Sequence, residues 1–114
     1  MIKTVSIVIP CYNESEVIAT THAELDRCLG AAANYDFEFV YVDDGSRDRT
    51  VAILRELRTR DSRIRLVRFS RNFGHQAAVS AGIDHAFGDA VAIMDADLQD
   101  PPEVLLGMLE RWRE

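Results

Sequence analysis

The chain has 114 residues, 47% hydrophobic and 28% charged, which is enough sequence of ordinary composition for one globular domain with a real core. A net charge of −6 argues against a general nucleic-acid binder, and no apolar run approaches the roughly 20 residues that span a bilayer. Cys11 and Cys28 have neither metal nor redox spacing and read as reduced thiols in apolar surroundings, and the passage from Lys3 straight into a strand-like run reads as a chain without a secretory leader.

In chain order, Thr4 to Pro10 (TVSIVIP) is a β-branched apolar run and predicts the first strand. Asn13 with Glu16 three residues on resembles a capping box and predicts a helix from there to about Ala33. Phe37 to Val42 is the second strand, ending in Asp43-Asp44-Gly45-Ser46. Ser46 then suits the N-cap of a helix with Val51, Leu54 and Leu57 on one face. Ile64 to Phe69 predicts a third strand, and Asn72 and Gly74 punctuate before an Ala-rich helix from Gln76 to Phe87. Ala90 to Met94 is the fourth strand. Asp100, with Pro101 at the first helical position and Glu103 behind it, predicts the cap of the last helix.

Apolar strands alternating with amphipathic helices imply an α/β fold: a parallel sheet covered on both faces, about four strands and four helices. Ligands of such sheets bind beyond the carboxyl ends of the strands. Three strands carry their polar residues to that edge: Tyr12-Asn13-Glu14, Asp43-Asp44 and Asp95-Ala96-Asp97. Carboxylates clustered at a strand end raise one another's pKa unless a cation offsets them, and oxygen donors of this kind suit Mg²⁺ or Mn²⁺. Asp43 and Asp44 point to opposite sheet faces and so have different jobs: one accepts an N–H from a base edge, the other braces the loop or caps the next helix. Tyr12 offers a stacking face for a base. Arg71 and Gly74 are further candidates for a phosphate or base contact. His75, His22 and His85 read as polar surface or packing residues.

Charge is uneven along the chain. Residues 47–71 hold nine arginines against Asp48, Glu56 and Asp61, a net +6, which leaves −12 elsewhere. The segment reads either as a solvated helix face plus a turn, or as a contact for anionic lipid heads or phosphates.

SIVIPCYNE, VYVDDGSRDRT, SRNFGHQAAVSAG and AIMDADLQDPPE, in that order, resemble the family-2 inverting glycosyltransferases of the GT-A fold, above all the polyprenyl- and dolichyl-phosphate sugar transferases. The resemblance implies a Rossmann-like sheet and the N-terminal, donor-binding part of such a domain over residues 1–114, with the acceptor half absent. It implies that Pro10, Tyr12, Glu14, Val42, Asp44, Asp95, Ala96 and Asp97 bind the nucleotide sugar, with Asp95 and Asp97 catalytic. Asp97 and Gln99 would hold Mg²⁺ or Mn²⁺. The partners implied are a UDP- or GDP-linked hexose and, through the missing half, a polyisoprenyl phosphate; no nucleic acid is among them, and an exposed sheet edge could self-associate. The implied location is cytoplasmic, or the cytoplasmic face of the membrane for the full-length protein. The alternative is a fragment that binds nucleotide and metal but transfers nothing. A haloacid-dehalogenase-type phosphotransferase would need its Asp-x-Asp on the first strand. A receiver-like signalling domain would need a lysine after the acidic cluster, and Lys3 is the only lysine.

Overall fold

A computed structural model describes residues 2–30, 32, 34–99 and 101–113, the side chain of Arg113 excepted. Among them four strands alternate with four helices: β1 (Lys3–Cys11), α1 (Ile18–Leu29), β2 (Tyr35–Asp43), α2 (Thr50–Arg60), β3 (Ile64–Arg68), α3 (His75–His85), β4 (Ala90–Ile93) and α4 (Pro102–Arg113). The alternation expected from the sequence is present, with boundaries moved by a few residues. The strands form one parallel sheet in the order β3-β2-β1-β4.

That order follows from strand chemistry. β1 and β2 are buried along most of their length, as expected of strands covered on both faces. Val5, Ile7, Ile9 and Cys11 of β1 join Phe37, Phe39 and Tyr41 of β2 in the larger core, beneath Ile18, Leu25 and Leu29 of α1, Leu54 of α2, and Leu105 and Leu109 of α4. The alternate residues Val8, Val40 and Val42 form a smaller core with Ala78 of α3. Three helices therefore cover one face and α3 covers the other. Starting from β1, the chain builds outward to β3 and then returns through α3 to place β4 on β1's free side. The reversal lies between β1 and β4, and crevices open at such a reversal beyond the strand ends.

Two expected caps are replaced by contacts between loops. Asn13 has φ +52 and caps no helix; α1 starts at Ile18 behind Val17, with no side-chain cap. The Asn13 amide instead donates to Ser46 Oγ at 2.8 Å, and the Arg47 amide donates to Asn13 Oδ1 at 2.9 Å. Ser46 likewise caps nothing: α2 begins at Thr50, whose amide donates to Asp48 Oδ1 at 2.9 Å. Asn and Ser favour caps because their side chains bond nearby backbone, and here backbone more than 30 residues away takes those bonds. The helix end expected at about Ala33 and the cap expected at Asp100 lie outside the described residues.

Candidate functional site

Three loops at the carboxyl edge of the sheet are tied into one frame. Besides the two Asn13 bonds, the Glu14 amide donates to Thr50 Oγ1 at 2.9 Å and the Ser15 amide to Asp48 Oδ2 at 3.1 Å, so the loop after β1 is zipped to the loop after β2. Gly45 holds the loop after β2 against the loop after β3. Its φ is +78°, and a Cβ there would come within 2.3 Å of the Arg71 carbonyl carbon and 2.5 Å of the Asn72 nitrogen, so only glycine fits.

The adjacent aspartates divide as strand alternation requires. Asp43, fully buried on the three-helix face, accepts the Ser46 amide at 3.0 Å through Oδ2; its Oδ1 has no partner among the described residues. Asp43 braces the loop. Asp44, on the α3 face, accepts Phe73 N–H at 2.7 Å on Oδ1 and Asn72 Nδ2 at 3.1 Å on Oδ2, and the Gly74 N–H is shared between Oδ2 at 3.0 Å and Oδ1 at 3.3 Å. Three donors thus supply two contacts to each oxygen.

The loop after β4 carries the acidic motif. Thr21 of α1 donates its hydroxyl to the Ala96 carbonyl, which pins that loop from the helix side. Leu98 takes φ +53, rare for a branched apolar residue, with its amide bonded to the Asp95 carbonyl at 3.1 Å. Asp95 and Asp97 stay exposed around buried Ala96, and the Gln99 amide reaches Asp97 Oδ1 at 3.4 Å. Burial pushes the Glu14 carboxyl above its ordinary range, and the neighbouring charges of Asp97 and then Asp48 push it further. Glu14 and Asp97 thus bring like charges together at the strand ends, where a cation would relieve them.

A crevice of about 350 Å³ opens between these loops, lined by Pro10, Cys11, Tyr12, Glu14, Asp44, Asn72, Gly74, His75, Ala78, Asp95 and Ala96. Seven residues singled out from sequence therefore share one cavity: Pro10, Tyr12, Glu14, Asp44, Gly74, Asp95 and Ala96. Val42 does not line it. Its side chain packs with Val8 and Val40 beneath α3, because strand alternation puts it in the smaller core. Asp97 and Gln99 are exposed on the loop beyond the lining, and Arg71 is exposed over the Phe73 ring at 4.7 Å. Among the described residues no three acidic, His or Cys side chains form a ready-made metal cage. Asp97 and Gln99 nevertheless suit Mg²⁺, which is commonly held by one or two carboxylates plus substrate phosphates and water.

Residues 6–114 match the model of glycosyl transferase family 2. The chain belongs to that family. It is 49% identical over 109 residues to the uncharacterized glycosyltransferase YkcC of Bacillus subtilis, covering 96% of this chain and 33% of YkcC. It is 40% identical over 109 residues to the bactoprenol glucosyl transferase of Shigella phage SfV, covering 96% of this chain and 35% of that protein. Among solved structures it resembles the mannosyltransferase PcManGT of Pyrobaculum calidifontis, in complex with GDP-Man and Mn²⁺, with TM-score 0.74, 24% identity, and coverage of 89% of this chain and 34% of that one. That likeness establishes the GT-A fold. The chain spans about a third of the length of the curated relatives it matches.

Within this family 2 domain, Asn72, expected only as a break before α3, and His75, expected as a polar surface or packing residue, belong to the site. Both line the crevice, and Asn72 also orients Asp44. The signal was available: they follow a strand that ends on the same edge as the three acidic loops. His22 was read as a packing residue, and it is one, buried between Tyr41 Oη at 2.7 Å and Asp61 Oδ2 at 2.8 Å. His85 is exposed, with Nδ1 at 2.8 Å from the Ala81 carbonyl.

Proposed function

We propose that this chain is the donor-binding part of an enzyme that transfers a hexose from a nucleoside-diphosphate sugar to a polyisoprenyl phosphate, with a divalent metal and with inversion at the anomeric carbon. The observation that carries the reading is the crevice at the β1–β4 reversal, with the Asp44 carboxylate and the Asp95-Ala96 segment in one lining. The kinship with bactoprenol glucosyl transferases supports the acceptor class.

In this reading Asp44 takes an N–H of the base and Tyr12 stacks against it. Asp95 faces the ribose and sugar, and Asp97 with Gln99 holds the metal. A divalent cation bound there supplies Lewis-acid neutralisation of the departing diphosphate. A phosphate monoester acceptor is already largely ionised near neutral pH, so no side chain of this chain has to act as a general base.

Melting curves with UDP and Mn²⁺ or Mg²⁺ test the pocket. Ligand at 100 times Kd adds about 2.7 kcal/mol, and about 1 kcal/mol moves Tm by roughly 4–8 °C at this size. Asp97→Asn should remove the metal-dependent part. No shift with any nucleotide–metal pair would refute the assignment. Transfer of labelled sugar to undecaprenyl phosphate, run on this chain and on a full-length relative, separates a competent enzyme part from a fragment that only binds donor and metal.

A further inference from the structure

Four of the nine arginines in residues 47–71 gather at the edge where the crevice opens. Arg47 and Arg49 lie on the loop after β2, Arg68 ends β3, and Arg71 lies on the loop after β3. All four are exposed, and none forms an ion pair among the described residues. The Gly45 contact with the Arg71–Asn72 backbone presses their two loops together, so the four arginines lie on adjoining segments of one sheet edge. Arg47 and Arg49 also flank the start of α2, where the helix dipole disfavours cations and the first turn holds no acid. Asp48 sits between them. Burial raises its carboxyl, but hydrogen bonds from Thr50 and Ser15 outweigh that and bring it to about 2, so its single charge is already engaged.

None of the four arginines lines the crevice, so they do not converge on a discrete phosphate pocket. Beside them Phe73 stands 52% exposed, with the Arg71 guanidinium 4.7 Å above its ring. An exposed aromatic under one arginine, on an edge that carries three more, has the chemistry of a surface that meets lipid headgroups. Residues 47–71 carry +6 against −12 elsewhere, part of the negative charge being Glu14, Asp44 and Asp95 in the crevice, so the arginines and not the crevice are the cationic part of this edge.

We propose that the Arg47–Arg49–Arg68–Arg71 rim, with Phe73, docks this domain on an anionic phospholipid bilayer, carboxyl edge of the sheet toward the headgroups. The docking stands independently of the transfer reading, because it needs neither nucleotide nor acceptor.

Flotation with vesicles of phosphatidylcholine and phosphatidylglycerol in a 3:1 ratio, against phosphatidylcholine alone, tests it. Binding is expected only to the anionic vesicles and should fall steeply with salt. At about fivefold per arginine, Arg47→Gln/Arg49→Gln or Arg68→Gln/Arg71→Gln should each weaken partitioning roughly 30-fold. Arg58→Gln/Arg60→Gln, the same charge change at the far end of α2, should cost under threefold. Circular dichroism melts confirm that each variant folds. Absence of binding to anionic vesicles overturns the proposal, as does equal loss in the α2 variant. So does displacement by millimolar inorganic phosphate at matched ionic strength, which would mean a discrete phosphate site. Nucleotide-induced Tm shifts are read separately, so a failed pocket and a failed rim are distinguishable.

Discussion

At the scale of single residues, the site is governed by how many partners each carboxylate already has. Asp44 is the clearest case. Its oxygens organise the loop after β3 before any ligand arrives, so it serves both architecture and recognition. Asp44→Asn would turn an amide N–H₂ toward the amides of Phe73 and Gly74. It should cost about 1–3 kcal/mol and abolish the nucleotide-induced Tm shift; a chemical denaturation curve with and without UDP reads both. Glu14 gives a pH signature. Its carboxyl binds a proton more tightly in the fold than in the open chain, so the fold loses stability as pH rises through and above the ordinary value of 4.5. Glu14→Gln should therefore melt above the wild type at pH 7 and converge with it near pH 4, measured without metal. The division between Asp43 and Asp44 was legible beforehand, because strand alternation alone sends them to opposite faces. Which donors Asp44 would meet was not, since they come from residues 28–30 positions away.

At the scale of elements, the eight strands and helices could be read from period and composition because each carries its own apolar pattern. The true partners of Asn13 and Ser46 could not, because local capping rules compete with contacts more than 30 residues apart. The partners of His22 were illegible for the same reason, although its packing role was not. Its neighbours Tyr41 and Asp61 come from β2 and the end of α2, and the hydrogen bond from Arg63, then that from His22, holds the Asp61 carboxyl well below its usual range. Packing between elements gives a sharp test at Gly82, which lets α3 lie directly on the sheet. A Cβ there would fall 2.3 Å from Val8 Cγ1 and 3.2 Å from Val42 Cγ2. Gly82→Ala should cost about 1–3 kcal/mol. Because Val42 sits beneath Asp44 on the same face of β2, nucleotide affinity should fall with stability, a pairing that calorimetric titration can check.

At the scale of the molecule, the sheet order is what the sequence left open. Alternating patterns established a parallel sheet, but the position of β1 between β2 and β4 appears only when the chain reverses over α3. That reversal juxtaposes the loop after β1 with the loop after β4, and so brings Glu14 near Asp97. It also leaves β4 short, four residues long, with Val91 and Ile93 exposed on it.

The placement of β4 has a consequence for the order of assembly. β4 meets β1 across 85 residues of chain, as in the bond from the Thr4 amide to Asp89 Oδ2 at 2.8 Å. Closing so long a loop costs entropy before any contact repays it. The β1–β2–β3 ladder can form without it, and the crevice cannot. Its acidic wall is thus the last part to form and the first to open. Amide exchange should be fastest along Ala90–Ile93, slower in β1 and β2, and selectively slowed in β4 by nucleotide and metal. Binding and completion of folding would then be one event at this edge of the sheet.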